Sequence, residues 1–485
     1  MGTINREDIL TKRTHVYSFI QRKGSPRYSL ELFSLHGAMG SAEEPLGEPE
    51  PRYRKSVTRR GAWDRVGEIE SPPDAPTTSF TELMPRATAT FLEQLKKSGE
   101  PFAVHTVIHQ NVDPQNYTRW ESKEVFDGVR LTSFTRNDAE GDEDDLVQIE
   151  ADAQFAAFDR VFPITFGEKA GTDITKEVVA VAVYPEDDRG DPSTKEIYAI
   201  TKVDTTEPKL VYSTNGGATF TAEALTLMGT DEPDDIAVVG DYVIVTSSAG
   251  EAYYFAKKDD LANTGWTKVT GGIVTAHGPT AIYAPAVGSI YFAGLGGTVY
   301  KLTIPGRDVT ALEAGDLTAQ NLTAIHGAGD TIVAVGADNA VLVSSNAGRT
   351  WSSPTGPAVG VALNAVHVWD KDTFWIGGDG LYFTDDRGAS WLAVNLGMTV
   401  ASVRAVRFAR DLKGVGYVGV VTATPTAHIL RTTDYGAEWE TFSVDGFNTA
   451  NEGINALAVG GPNYVVAAGV VTAVGADGYL ALATA

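Results

Sequence analysis

Histidine and carboxylate side chains are the residues of this chain that could hold a metal ion, so their spacing is the first test of chemistry. The sequence contains eight His and no Cys. His105 and His109 lie four residues apart in a strand-like run, with no third ligand at a regular spacing. The acidic run 140–145 could bind a cation loosely, but it lacks the ordered ligand spacing of an EF-hand loop. We therefore predict no metal site and no cofactor, and we interpret 140–145 as a solvated loop.

One turn pattern recurs in the second half of the chain and indicates which elements must carry any site there. It reads Ser/Thr-x-Asp/Asn-x-Gly-x-Ser/Thr-aromatic, and its four copies begin at Ser213, Ser344, Thr384 and Thr432. The Asp or Asn can bond its own backbone, the Gly supplies a positive φ, and the aromatic ring can fill apolar space between sheets. The residues with these roles are Asn215, Gly217, Phe220, Asn346, Gly348, Trp351, Asp386, Gly388, Trp391, Asp434, Gly436 and Trp439.

This pattern resembles the Asp-box of sialidase-type (BNR) propeller repeats, and the resemblance implies a β-propeller. Segments 252–255, 298–301 and 478–482 fit the same strand position without a box, so the series steps by roughly 40 to 50 residues. We predict a seven-bladed β-propeller over 166–485, with an open stack or a six-bladed ring as the alternative. The chain ends after the third strand of the last blade, so a strand within 160–176 should complete that blade and close the ring.

Glycoside hydrolysis is the enzymatic alternative that the Asp-box raises. A sialidase needs an arginine cluster for the substrate carboxylate, a Tyr–Glu nucleophile pair and an acidic acid/base. The Arg-Ile-Pro signature of that family is missing, and Arg349 and Arg387 fall inside box turns, away from the axial face. The other arginines of the propeller are Arg307, Arg404, Arg407, Arg410 and Arg431. We therefore expect no enzymatic activity and no catalytic residue.

Residues 1–165 have a different texture and predict a separate domain. A helix is expected at 88–98, with Leu92 and Leu95 on one side and Gly99 at its end. Strands are expected at 102–108, 129–134 and 146–155. In the last of these, Glu150 and Asp152 alternate with apolar residues, which predicts one buried face and one polar face. The split-charge segment 37–60 is a long loop, or an arm that orders against a neighbouring subunit.

The order of segments in this N-terminal part resembles the tail tube (major tail) proteins of long-tailed bacteriophages. The segments are 66–74, Met84-Pro85-Arg86, 126–135, 140–145 and 160–166. The resemblance covers roughly 1–170 and implies a β-sandwich flanked by one helix. It also implies homo-oligomeric rings, hexameric in that family, which stack into a hollow tube of the virion after synthesis in the host cytoplasm. The propeller would then be a decoration on the outside.

The resemblance also implies partners: further copies of the chain, other tail proteins, and DNA passing through the lumen. Glu150 and Asp152 are the candidates for lining that lumen, where carboxylates would repel DNA phosphates. The alternative is that this face points outward into solvent. A net charge of −24 argues against nucleic acid as a tightly bound partner. The propeller could bind a host-surface glycan or protein.

Two other functions fit the propeller without a tube. One is a standalone scaffold of the photosystem-assembly-factor type, which leaves 1–165 unexplained. The other is a receptor-binding or glycan-binding propeller with the N-terminal domain as its base. The sequence has no apolar run of about 18 residues that would predict a membrane span, and its N-terminus is too polar for a signal peptide.

Overall fold

The fold is mostly β and is formed by two compact units. The computed structural model describes residues 16–22, 26–27, 31–33, 53–55, 63–65, 77–109, 120–137, 146–155, 157–169, 174, 176–186, 191–204, 206–303, 308–312, 317–357, 360–410, 412–422, 426–443, 453–471 and 477–484. Strands account for 54% of the structure and helices for 7%. The units are Met1–Pro163 and Ile164–Ala485, so the division falls two residues before the boundary expected from the sequence.

The first unit is a sheet with one helix. Its elements are β1 (Val16–Arg22), β2 (Glu31–Phe33), β3 (Tyr53–Lys55), β4 (Trp63–Arg65), β5 (Thr77–Pro85), α1 (Arg86–Ser98), β6 (Phe102–His109), β7 (Trp120–Asn137), β8 (Leu146–Gln154) and β9 (Ala157–Val161). The main sheet runs β2-β1-β6-β7-β8-β5, with β9 also paired to β7, while β3 and β4 form a separate pair. The first part of β7 pairs with β6 and β9, and its last part pairs with β8.

The predicted strands of this unit are confirmed: 102–108 lies within β6, 129–134 lies within β7, and 146–155 corresponds to β8, which ends one residue earlier. The long strand β7 joins both parts of the main sheet, so β1, β2 and β5 to β9 form one connected sheet. A sandwich of two packed sheets is therefore not confirmed and stays a prediction.

The helix α1 packs its apolar side onto this sheet. Leu92 and Leu95 are buried in one cluster with Phe126 and Ile149 of the sheet. Lys96 in the last turn donates to the carbonyl of Leu131, 3.0 Å away. The helix begins two residues before the predicted start and ends at the predicted residue, and the following Gly adopts a φ of 65°.

The second unit consists of antiparallel sheets in chain order. Their strands are β10 (Thr165–Glu168), β11 (Val178–Tyr184), β12 (Glu196–Thr201), β13 (Lys209–Ser213), β14 (Thr221–Ala224), β15 (Asp235–Val239), β16 (Tyr242–Ser247), β17 (Ala252–Lys257), β18 (Thr267–Val269), β19 (Pro279–Ala286), β20 (Ser289–Gly294), β21 (Val299–Thr303), β22 (Asp308–Leu312), β23 (Leu322–Ala328), β24 (Thr331–Gly336) and β25 (Val341–Ser344). The chain continues with β26 (Ala365–Val368), β27 (Phe374–Gly377), β28 (Leu381–Thr384), β29 (Leu392–Ala393), β30 (Val400–Phe408), β31 (Gly416–Thr422), β32 (Ala427–Thr432), β33 (Glu440–Ser443), β34 (Gly453–Gly461), β35 (Tyr464–Val471) and β36 (Asp477–Thr484).

These strands group into sheets that follow one another along the chain. The sheets are β11–β14, β15–β18, β19–β22, β23–β25, β26–β29 and β30–β33, and a further sheet runs β10-β36-β35-β34. The pairing of β10 with β36 joins Thr165 to Thr484 and Glu168 to Ala481. This pairing confirms the closing strand that the sequence predicts within 160–176.

The first strands of consecutive sheets contact one another around a closed ring. The contacts run β11–β15, β15–β19, β19–β23, β23–β26, β26–β30 and β30–β34, and β34 in turn contacts β11. Side chains also join neighbouring first strands: Thr280 Oγ1 donates to the Leu322 carbonyl at 2.6 Å, and Asn455 Nδ2 donates to Glu177 Oε1 at 2.7 Å. Sheets arranged around an axis in this way form a β-propeller.

Candidate functional site

The four repeated box turns all use the same hydrogen bonds. In the third box, the Asp386 carboxylate accepts from Thr384 Oγ1 at 2.7 Å and from the backbone N–H of Ser390 at 2.8 Å. Thr384 Oγ1 accepts from the backbone N–H of Gly388 at 2.9 Å. The boxes that contain Asn215, Asn346 and Asp434 repeat these contacts. The polar groups of the box are therefore engaged in building the turn.

The backbone of the box turns requires two consecutive residues with positive φ. Gly217, Gly348, Gly388 and Gly436 have φ values of 79°, 81°, 84° and 81°. The residue before each of them is also left-handed, with φ of 67°, 55°, 59° and 58° at Gly216, Ala347, Arg387 and Tyr435. The sequence pattern marks only the Gly, although the preceding residue bears the steric cost when it has a side chain.

The aromatic residues of the boxes pack where two sheets meet. Phe220 and Trp351 are partly buried against clusters that combine residues of two neighbouring sheets. Trp391 packs against such a cluster and donates its Nε1–H to the Thr355 carbonyl at 2.9 Å. The Trp439 ring meets Trp375 edge-on at 6.4 Å. This arrangement makes the box aromatics part of the sheet interfaces.

The two candidate lumen residues lie on the exposed face of β8. Glu150 and Asp152 are exposed, whereas Ile149, Ala151 and Ala153 between and beside them are buried. Asp152 accepts a hydrogen bond from Ser133 Oγ of β7 at 2.7 Å. The alternation predicted for this strand is confirmed. Whether this face lines a lumen stays a prediction.

Several other predicted features lie outside the described residues: the acidic run 140–145, Arg307 and the segment 37–60 except for β3. Within the part of the chain that the structure describes, no group of three or more His, Asp or Glu is placed to hold a metal ion. None of the described helices is long and apolar enough to cross a bilayer.

A cluster of polar side chains on the first strands is the strongest candidate for a site. Register places one residue of each first strand at an equivalent position, opposite Tyr198, Ile244, Tyr291, Val333, Trp375, Tyr417 and Val466 of the second strands. Four consecutive strands carry Tyr283, His326, His367 and Arg407 there, and the other three carry Ala458, Ala182 and Ala237. We name Tyr283, His326, His367 and Arg407 the axial cluster.

The members of the axial cluster contact one another across neighbouring sheets. The ring of His326 lies 5.1 Å from that of Tyr283 and 4.4 Å from that of His367, measured between centroids. His326 Nδ1 accepts a hydrogen bond from the backbone N–H of Val368 at 3.0 Å. Since Nδ1 is an acceptor, the neutral ring carries its proton on Nε2.

Arg407 is anchored through one of its terminal nitrogens. Its Nη1 donates to the carbonyls of Val406 at 2.9 Å and Val366 at 3.3 Å. Two carboxylates are close enough to interact with its charge, those of Glu186 after β11 and Asp235 at the start of β15. Two backbone carbonyls therefore hold the Arg407 guanidinium in place, and the carboxylates of Glu186 and Asp235 are more distant neighbours.

Burial controls the protonation of this cluster. Burial, followed by the charge of Arg407, lowers the pKa of His326 to about 3. Burial also lowers the pKa of His367, with His326 and Arg407 acting in the same direction. Burial raises the pKa of Asp235 to about 6, against the hydrogen bonds it accepts from the backbone of Ile282 and Ile236. Both imidazoles are therefore uncharged at neutral pH.

The carboxyl group of Glu186 is accessible to water but lies among protein groups. Desolvation raises its pKa, and the charges of Arg407 and Arg410 oppose that rise. Arg404 has a different role, because its Nη1 donates to Asn455 Oδ1 at 3.2 Å and so connects β30 to β34.

The axial cluster was not identified from the sequence. The sequence shows Arg407 only as one of several propeller arginines outside the box turns, and no pattern marks His326 or His367. The cluster can be recognised when the first strands of successive repeats are aligned. Tyr, His, His and Arg then occupy the same position in four consecutive sheets. Spacing within a single strand does not reveal it.

Comparisons with known proteins concern the fold alone. No family model and no curated protein sequence matches the chain. Among solved structures, YCF48 from Cyanidioschyzon merolae is 13% identical, with 66% of this chain and 98% of that chain covered and a TM-score of 0.49. YCF48 bound to D1 peptide is 13% identical, covers 67% of this chain and 97% of its own, and has a TM-score of 0.48. The WD40 β-propeller domain of Doa1 is 10% identical, with coverages of 66% and 97% and a TM-score of 0.48.

Proposed function

We propose that this protein is a non-enzymatic structural subunit of a bacteriophage tail tube, with a seven-bladed propeller as an additional domain that binds a host-surface ligand. In this proposal the first unit forms the rings, and the rings stack around a DNA channel. Propellers of this kind also serve as standalone scaffolds, which is the second candidate function. The sheet of the first unit, with one polar and one apolar face, favours the tail-tube function over the standalone scaffold.

The polar face of β8 is the observation that carries this proposal. Glu150, Asp152 and Gln154 are exposed on it, and Thr135 of β7 lies directly opposite Glu150. On the other side, the register pairs Glu150 with Thr81 and Asp152 with Ser79 of β5. Hydroxyl, amide and carboxylate residues thus follow one another across three strands. A closed ring of such sheets with this face inward would give a hydrated, negative wall along which DNA can move without binding.

The opposite face of the sheet supports the same arrangement. It is covered by α1 through Leu92 and Leu95, so at β8 the sheet separates a packed apolar layer from the exposed polar residues Glu150, Asp152 and Gln154. Such a sheet is suited to form the wall between a lumen and a packed exterior. Ring interfaces that are heterologous along the tube axis polymerise without closing.

The seven-bladed assignment is supported by the ring of first strands and by the closing strand. Each of the sheets between β10 and β36 has its first strand in contact with the next, including β34 with β11. The closing strand and the C-terminal strand meet in one sheet, which leaves no gap between the first and last repeats.

Self-assembly of the full chain is the decisive test of this function. Negative-stain microscopy and sedimentation velocity over rising protein concentration should show rings or tubes of constant diameter. A variant lacking 37–60 should keep its melting temperature and stop stacking, since that segment is the candidate inter-ring arm. Single discs at every concentration for both proteins would contradict the tube and favour the standalone scaffold.

A further inference from the structure

Arg407 has binding capacity that the propeller does not use. Its Nη1 is occupied by two backbone carbonyls, while Nε and Nη2 make no hydrogen bond to the described residues. The described part of the chain provides no ion pair to Arg407, although Glu186 and Asp235 are near enough to influence its electrostatics. A guanidinium fixed by one nitrogen and open at the others is suited to a planar carboxylate, which it can bind through two parallel hydrogen bonds.

The two imidazoles and the phenol beside Arg407 also retain unused polar atoms. His367 is only 8% exposed, and its buried Nδ1 has no hydrogen-bond partner among the described residues. His326 uses Nδ1 as an acceptor, which leaves its Nε2–H as a donor without a partner in the described structure. The Tyr283 hydroxyl is likewise uncommitted within the described residues. An unsatisfied buried polar atom is costly, so His367 Nδ1 indicates a ligand or water beside it, and the half-buried His326 and Tyr283 offer further groups to the same molecule.

The other side of the ring carries small side chains at the same position. The equivalent positions of the three remaining first strands hold Ala458, Ala182 and Ala237. Four large polar residues therefore face three small apolar ones around the axis. The aromatic rings of Tyr283 and the histidines offer flat surfaces for the C–H face of a sugar, with hydrogen-bonding groups at their edges.

Local charge favours a monoanion over a phosphate. Glu186 and Asp235 carry negative charge near Arg407, and Arg410 adds a further cation that interacts with Glu186. The carboxylates of Glu186 and Asp235 would repel a dianion. A ligand with a single carboxylate can instead form two parallel hydrogen bonds with the Arg407 guanidinium. Neutral imidazoles and a phenol bind hydroxyl groups rather than further charge.

We propose that the axial cluster binds a sugar acid, with the carboxylate on Arg407 and the ring hydroxyls on Tyr283, His326 and His367. This proposal deepens the host-surface role of the propeller in the proposed function. The ligand is a uronic-acid type of residue, either free or at the end of a glycan, since both present the same carboxylate and hydroxyls.

Calorimetric titration of the full-length protein tests this site. Glucuronate should bind at neutral pH, glucose should not, and acetate should bind far more weakly than glucuronate. R407Q should weaken glucuronate binding by about 10- to 100-fold, the range supplied by a charge-assisted contact. R407K keeps the charge without the planar fork and should also bind more weakly. Methyl glucuronide keeps the carboxylate and carries a methyl group on the anomeric oxygen. It should bind as well as glucuronate if the site accepts a terminal glycan residue, and less well if the site accepts only the free sugar.

Matched controls separate the site from general effects of charge or folding. R349Q removes an exposed arginine from a box turn and should leave glucuronate affinity unchanged. Y283F should weaken glucuronate binding but not acetate binding, because only glucuronate has ring hydroxyls that the Tyr283 hydroxyl can bind. The proposal is overturned if wild type does not bind glucuronate, if R407Q equals R349Q, or if sulfate competes as well as glucuronate. These results are independent of whether the protein forms tubes, so failure here leaves the assembly test untouched.

Discussion

At the residue scale, His326 illustrates how the ring of first strands changes the chemistry of a side chain. The backbone N–H of Val368 occupies its Nδ1, and burial together with Arg407 disfavours the charged ring. The folded state therefore resists a proton that the unfolded chain accepts near pH 6.5. This difference opposes folding at mildly acidic pH.

The sign of this effect can be measured with His326→Gln. A folded pKa of about 3 against 6.5 unfolded means that stability is lost as pH falls below about 6.5. Between pH 7.5 and pH 5, wild type should lose about 2 kcal/mol more than H326Q, a figure that follows from 1.36 kcal/mol per pH unit. Denaturant unfolding of both proteins at the two pH values gives this difference. Contributions of opposite sign, such as that of Asp235, are common to both proteins and cancel. Equal losses in both would mean that His326 titrates normally in the fold.

At the element scale, β10 is the strand on which closure of the propeller depends. It is separated from its partner β36 by nearly the whole second unit, and it pairs along its full length with the C-terminal part of the chain. The backbone of Lys169 continues this pairing by donating to the Leu480 carbonyl at 3.0 Å. Without β10, the edge of β36 would be open to water and to other strands.

A pair of fragments tests this closure. The fragment 164–485 contains β10, and the fragment 178–485 lacks it. The shorter fragment should lose about 2–4 kcal/mol of unfolding free energy, since a few backbone hydrogen bonds at about 1 kcal/mol each disappear. It should also aggregate more readily because of the exposed edge. Chemical denaturation and light scattering measure these effects. Identical stability would show that the propeller closes without β10.

At the scale of the whole molecule, the polar face of β8 connects the fold of the first unit to the proposed DNA channel. The face carries exposed carboxylates and hydroxyls, and its reverse is covered by α1. If the rings form with this face inward, then charge on β8 acts on DNA, while charge on α1 does not. This difference can be tested by two substitutions with the same charge change.

Glu150→Lys and Glu93→Lys form that matched pair. Glu93 lies on α1 and forms a surface ion pair with Lys97 at 2.6 Å, so its replacement has little structural cost. Assemblies of E150K should retain DNA at low salt, because lysines release the counterions of DNA when they bind it. Assemblies of E93K should not retain it. A filter-binding assay across salt concentrations measures this. Equal DNA retention by both assemblies would place Glu150 outside the lumen.

The sequence by itself determined the local features of this protein. The box residues Asn215, Asp386 and their counterparts are recognisable because their hydrogen bonds lie within one turn. Helix α1 and the alternating strand β8 were predictable for the same reason, since their patterns repeat over a few residues. The closing strand could be predicted because the last repeat lacked one.

Only the tertiary structure decided the axial cluster. Tyr283, His326, His367 and Arg407 are each about 40 residues apart, and none has a neighbour in sequence that marks it. Closure of the first strands into a ring places their side chains together, and burial there changes their protonation. The continuity of the first sheet through β7 was also beyond prediction, because one long strand pairs with different partners along its length. Contacts between distant strands depend on packing, which no short sequence pattern encodes.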